Sequence, residues 1–144
     1  MIYQTPLPAD EVDVMAKTLY GEARGENLSG IEAVACVIMN RHKVASSKGD
    51  YWWGKTVKEI CLKPFQFSCW NIGDPNFKKI REVPADDPVF DMCLRVSQRA
   101  MLGFLPDITH GATHYHTKTS HPAWARHLIP VEEIGNHLFY RELI

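Results

Sequence analysis

No stretch of this sequence is long and apolar enough to cross a bilayer. The longest strictly apolar run is seven residues, Ala33 to Met39, against the roughly 20 that a spanning helix needs. No stable membrane association is expected. A predominance of one charge is also missing. Sixteen basic and seventeen acidic side chains leave a net charge of −1. Such a surface has no broad positive field to grip a phosphate backbone, so nucleic acid is not an expected partner. The four cysteines, Cys36, Cys61, Cys69 and Cys93, contain no C-x-x-C pair. Buried free thiols fit them better than a redox or zinc framework, although a Cys61–Cys69 disulfide stays open. G-x-S-x-G, P-loop, G-x-G-x-x-G and H-E-x-x-H patterns are all absent, which leaves serine-elbow, nucleotide and zincin chemistry without support. Met1 to Glu11 has neither the basic start nor the apolar core of an export signal, so no Sec leader is expected.

What remains is an ordinary globular composition. The chain has 144 residues, 45% apolar and 23% charged, enough for one domain with one core. Val12, Met15, Ala16, Leu19 and Ala23 recur at helical spacing, predicting a first helix that Asp10 caps. Ser29-Gly30-Ile31-Glu32 reads as a capping box. The run behind it, apolar nearly all round, predicts a central buried helix ending in Asn40-Arg41-His42-Lys43. Residues 46–56 read as a loop with an aromatic tip. Thr56 to Glu59 forms a second capping box, opening a short helix that Pro64 ends. Phe65 to Trp70 alternates and is expected to be extended. Residues 71–87 are expected to be loop. Asp87-Pro88 starts a helix that Gly103 stops. Thr113 to Thr117 and Leu138 to Arg141 suit short strands. The sum is an α+β fold: a helical body with a small β-rich C-terminal region.

Three groups of residues could carry chemistry. Tyr20-Gly21-Glu22-Ala23-Arg24-Gly25-Glu26 lies where the first helix runs out. On a helical wheel Glu22 falls roughly 90° from the centre of the apolar stripe, at the edge of the core. Partial desolvation there raises a carboxyl pKa and suits a general acid. Glu26 shares that face if the helix survives Gly25. A capped helix end with solvated ion pairs is the plainer alternative. The second group is Trp52, Trp53, Trp70 and Trp124, which fall outside the helical stripes. They are either core filler or the flat faces of a sugar groove. The third is histidine: all but His42 of the seven lie between His110 and His137. His114 and His116 share a strand face and, with an acidic residue, could bind zinc. Hydrogen-bonded structural histidines are the alternative.

Longer blocks carry a resemblance. Leu19 to Glu26, then Gly30, then Ala33-Val34-Ala35-Cys36-Val37-Ile38-Met39-Asn40-Arg41 resembles the cell-wall hydrolase family typified by the spore-cortex-lytic enzyme SleB. Pro64-Phe65-Gln66-Phe67-Ser68-Cys69-Trp70 is similar to its second block, and Gly111-Ala112-Thr113-His114-Tyr115-His116 to its third. The resemblance covers about residues 12–140. It implies a lysozyme-like α+β fold and cleavage of peptidoglycan between N-acetylmuramic acid and N-acetylglucosamine by lytic transglycosylation. The resemblance further implies that the first glutamate of the Gly-Glu-Ala-Arg-Gly-Glu block, here Glu22, is the catalytic one. Glu26, Gln66, Ser68, Trp70, Tyr115 and His116 are then the expected substrate-binding residues. Neither metal nor cofactor is expected.

A single carboxyl group suffices for that reaction, unlike the usual two-carboxylate glycosidase. It protonates the glycosidic oxygen, then takes the proton of the muramic C6 hydroxyl as a 1,6-anhydro ring closes. Unlike in spore enzymes, neither a signal peptide nor a separate wall-binding domain is expected, and a chain resembling a phage endolysin is the expectation. A monomer made in the bacterial cytoplasm and acting on wall glycan strands is expected, delivered through a holin-type pore or within a phage particle. Two alternatives stand beside this reading: a zinc-dependent amidase or peptidase built on the C-terminal histidines, and a non-catalytic wall-binding module.

Overall fold

The computed structural model describes residues 7–49 and 51–141. The segment read for an export signal therefore lies largely outside the described residues. Among the described residues five α-helices come first: α1 (Ala9–Ala23), α2 (Leu28–Lys48), α3 (Val57–Leu62), α4 (Pro75–Arg81) and α5 (Pro88–Met101). Three short strands follow, β1 (His114–Thr117), β2 (Glu132–Ile134) and β3 (His137–Tyr140). They form one antiparallel sheet in the order β1-β3-β2. The α+β arrangement expected from the sequence is the one found.

The core lies between the helices. Helix α1 buries Met15, Ala16 and Leu19 against Val34, Ile38, Ile60, Cys93 and Val96. Helix α2 is central, as its all-round apolar run requires. Its second face, Ala33 and Val37, packs on Ala112 and Phe139 and so ties the sheet to the helices. Helix α2 also buries two polar side chains, Asn40 and Arg41. Asn40 Nδ2 donates to Asp107 Oδ2 at 3.0 Å and to Ala112 O at 2.9 Å. These bonds replace the water that a buried amide loses and fix the loop that leads into β1.

Several local expectations are corrected. Asp10 does not cap α1. The N-cap is Pro8, without a side-chain bond, and Asp10 pairs with Lys58 at 3.2 Å. Asn27, not Ser29, caps α2, accepting from Gly30 N at 3.0 Å. Glu32 then faces outward to Arg99 at 2.9 Å. Helix α2 runs on through the polar residues to Lys48, because Asn40 and Arg41 find partners inside the fold. Residues 65–70 are a turn and a 3₁₀ segment, Ser68–Trp70, rather than extended chain. Residues 71–87 contain α4, capped by Asp74 in front of Pro75. Strand β2 had no counterpart in the sequence reading. The Thr56 capping box and the Asp87-Pro88 start are both present.

Candidate active site

Glu22 sits on the last turn of α1, half-buried. Gly21 beside it lets the helix end press against the 3₁₀ segment: a Cβ at Gly21 would stand 2.5 Å from Cys69 Cβ. This close approach brings the Cys69 amide to the carboxylate, and Cys69 N donates to Glu22 Oε2 at 3.2 Å. The other oxygen is met from the sheet. Tyr115 Oη donates to Glu22 Oε1 at 2.5 Å. The register that pairs Tyr115 with Phe139 turns the tyrosine ring toward the helices, where it meets Phe139 at 5.7 Å and the His137 ring edge-on at 5.0 Å. Burial, and then the charge of Glu22, push the Tyr115 hydroxyl well above its ordinary pKa. The phenol therefore stays protonated and serves as a donor.

Tyr115 also lines a cleft of about 590 Å³. Arg41, Gln66 and His114 share its walls. Arg41 Nε donates to Thr113 O at 2.7 Å and Nη1 to Gln66 Oε1 at 3.1 Å, so the arginine fixes both the strand entry and the Gln66 side chain. The remaining walls are Trp52, Phe65, Trp124, Leu128 and Arg141. Trp52 and Trp124 are 51% and 45% exposed. Phe65, 88% exposed, takes a left-handed backbone with φ 67°, a conformation that non-glycine residues hold only under constraint. Among the described residues no Asp or Glu lines the cleft. The described lining thus offers neutral donors, two guanidinium groups and flat aromatic faces, beside the carboxylate that Tyr115 contacts.

The other residues singled out in the sequence are dispersed. Ser68 is exposed at the start of the 3₁₀ segment, next to the amide that holds Glu22. Trp70 packs on the helical core and donates from Nε1 to Thr18 Oγ1 at 2.9 Å; it does not line the cleft. Trp53 is fully buried, its indole donating to Arg41 O at 3.1 Å. Glu26 leaves the face of Glu22, because α1 ends at Ala23. Its carboxylate instead accepts from Asn136 N at 2.8 Å and Asn136 Nδ2 at 2.9 Å. Those bonds pull its pKa down and clamp the β2–β3 turn onto the helices. Gly135 in that turn has φ 58°, and a Cβ there would collide with Glu26 Oε1.

The histidines do not converge. His114 and His116 share a strand face as expected, but that face meets Trp124 at 5.5 and 5.6 Å. His116 Nδ1 donates to Thr117 O at 2.7 Å, which leaves Nε2 to accept from Tyr140 Oη at 2.8 Å. Burial, helped by the charge of Arg41, pushes His114 down to about 4, so it is neutral at ordinary pH. His110 pairs with Glu132 at 3.1 Å. Among the described residues no three His, Cys, Asp or Glu side chains come together as a metal-ligand set. All four cysteines are free and buried, and burial raises their thiol pKa values, which makes them poor nucleophiles.

Arg41, Phe65, Leu128 and Arg141 were not among the residues singled out. A basic residue closing an apolar helical run was the available signal for Arg41. Phe65 stood within the second family block and Arg141 at the end of the last expected strand, but neither position carried a local sign that its side chain would line a cleft.

Comparison with known proteins is consistent with this geometry. The Cell Wall Hydrolase family model matches residues 25–140. The chain is 33% identical over 139 residues to the spore cortex-lytic enzyme of Oceanobacillus iheyensis, covering 90% of this chain and 41% of that protein. It is 30% identical over 135 residues to that of Halalkalibacterium halodurans, covering 90% and 34%. It therefore spans well under half the length of these relatives. The solved catalytic domain of the germination-specific lytic transglycosylase SleB from Bacillus anthracis aligns with a TM-score of 0.70 at 27% identity, over 95% of this chain and 98% of that one. The catalytic domain of Bacillus cereus SleB aligns with a TM-score of 0.70 at 26% identity, over 94% and 93%. Matched by the family model over most of its length and folded like two solved catalytic domains, the chain belongs to the cell wall hydrolase family.

Proposed function

We propose that this chain is a peptidoglycan glycosidase, a lytic transglycosylase that cleaves between N-acetylmuramic acid and N-acetylglucosamine with Glu22 as its acid and base. The observation that carries the reading is the pairing of Glu22 with Tyr115 Oη and Cys69 N, beside a cleft that Tyr115 lines and that no described Asp or Glu lines. The similarity to a lytic transglycosylase catalytic domain supports it. So do the exposed Trp52 and Trp124, whose flat faces suit sugar rings.

The geometry around Glu22 supports the following steps. Protonated Glu22 donates to the glycosidic oxygen as the bond to muramic C1 breaks and positive charge grows at that carbon. The resulting carboxylate is held by the Tyr115 hydroxyl and the Cys69 amide, donors already in place as its charge develops. The same carboxylate then takes the proton of the muramic C6 hydroxyl. The C6 oxygen closes on C1, giving a 1,6-anhydro end and returning Glu22 to its starting form. No water enters, and no second carboxylate is required. Gln66, held by Arg41, would bind an acetamido group of the glycan. The amidase alternative has no ligand set among the described residues to draw on.

Glu22→Gln tests this. The variant keeps the shape and one accepting oxygen for Cys69 N, exchanges the other for an NH2 that can donate to Tyr115 Oη, and has no acidic proton. Solubilisation of purified sacculi should fall by about 10²–10⁴-fold with the melting temperature little changed. Retention of most of the activity in a folded Glu22→Gln protein would remove Glu22 from the mechanism.

A further inference from the structure

The cleft contains a cation that the proposed chemistry does not use. Arg141 directly follows β3, and its side chain forms part of the cleft wall. Its Nε donates to His110 O at 2.7 Å. That carbonyl is aimed by an uncommon backbone: His110 has φ 54°, a left-handed conformation that persists in a non-glycine residue only where its surroundings impose it. The His110 ring is tethered in turn by Glu132 at 3.1 Å. Arg141 is thus an arm held at one point rather than a loose surface charge.

With Nε engaged, the Nη1–Nη2 edge of the guanidinium remains, and it has no acceptor among the described residues. Glu132, the acidic side chain of this arm, is occupied by His110, and among the described residues no Asp or Glu lines the cleft to compete. That free edge is the one that takes a carboxylate through two parallel N–H···O bonds. A sugar hydroxyl offers one oxygen and no charge, and matches it poorly. Trp52 and Trp124 stand in the same cleft, so a glycan stacked on them passes within the domain of this cation.

The geometry points to Arg141 as a carboxylate-binding residue that makes the cleft select glycan carrying a carboxylate at the muramyl unit over a neutral strand. This rests on the peptidoglycan reading above and sharpens it to a substrate class. The carboxylate has two sources: the free lactyl group of a muramyl residue stripped of its peptide, or the acidic groups of an attached peptide stem.

The test uses four substrates: intact sacculi and peptide-stripped glycan strands, each also with its carboxyl groups converted to neutral methylamides. The parent enzyme should lose on the order of 10–100-fold in kcat/KM on neutralisation, carried by KM, because a hydrogen-bonded charge is removed. Loss on the stripped pair identifies the lactyl carboxylate; loss on the intact pair alone identifies the stem. Arg141→Gln should show the same reduced rate on carboxylated and neutralised forms alike, and Arg141→Lys should fall between the two. Arg141→Gln that still discriminates as the parent does, or a parent indifferent to neutralisation in both pairs, overturns the inference. Absence of glycan cleavage on all four substrates would instead overturn the peptidoglycan reading.

Discussion

Replacing Tyr115 by phenylalanine removes one oxygen and leaves the ring. The ring contacts with Phe139 at 5.7 Å and His137 at 5.0 Å do not involve the hydroxyl, so the packing of β1 against the helices should survive. What disappears is the donor to Glu22 Oε1. A hydrogen bond to a charged group is worth about 1.5–3 kcal/mol, and each 1.4 kcal/mol is tenfold in rate, so kcat should fall by roughly 10–100-fold. KM should change little, because the lost bond acts on Glu22, the proposed acid and base, rather than on the bound sugar. The Cys69 amide still holds Oε2, so the loss should stay well short of that from Glu22→Gln. Release of soluble fragments from purified sacculi gives kcat and KM, and thermal melting of the same preparation reports the fold. A Tyr115→Phe enzyme within about threefold of the parent in kcat, with unchanged melting, would refute the claim that this hydroxyl orients Glu22.

Other perturbations report on the supports of the site. Gly21→Ala places a Cβ 2.5 Å from Cys69 Cβ. Overpacking of about 1–3 kcal/mol should lower Tm by roughly 3–10 °C, and activity should fall further as the Cys69 amide shifts; a variant with parental Tm and rate would show that the contact relaxes freely. Glu26→Ala removes the acceptor of the Asn136 amide and should cost about 2 kcal/mol, with faster hydrogen exchange at Asn136; unchanged exchange would mean the clamp is dispensable. His114 should make stability depend on pH. Its folded pKa is pushed down to about 4 against roughly 6.5 when unfolded, so the unfolded state binds the extra proton. The contribution is complete above about pH 6.5 and lost as pH falls toward 4. The gap corresponds to about 3 kcal/mol, which solvent screening of a half-buried ring reduces to about 1–2 kcal/mol. His114→Gln should flatten the denaturation midpoint over that range, and parallel loss in parent and variant would assign the effect elsewhere.

Features set by neighbouring residues were legible in the sequence. The Thr56 box and the Asp87-Pro88 start depend on bonds within one turn, and both formed as read. Asp74-Pro75 carries the same signal as Asp87-Pro88 and opens α4, but its setting among Asn, Gly and Pro residues masked it. Asn27 and Ser29 were both competent caps for α2. The choice fell to Asn27 once Glu32 reached Arg99 on another helix, a tertiary contact. Strand β2 is Glu-Glu-Ile at a sheet edge, too short and charged to show alternation. The boundary position of Glu22 was readable from the helical wheel. Its partners were not, since Cys69 lies 47 residues and Tyr115 93 residues away. Arg141 joined the cleft through a loop carbonyl at His110, an arrangement with no local sequence pattern. Glu26 showed the reverse: adjacent to Glu22 in the motif, it is drawn off by the β2–β3 turn.

The central claim is that one carboxyl group, Glu22, cleaves the glycan without water. Digestion of purified sacculi in heavy-oxygen water, followed by mass spectrometry of the fragments, tests it most directly. Fragments ending in 1,6-anhydro-muramic acid, lighter than the hydrolysed form by one water and free of the heavy isotope, are the predicted result, and Glu22→Gln should yield none. Muramic acid ends that carry the heavy oxygen, or fragments cut in the peptide rather than the glycan, would contradict it.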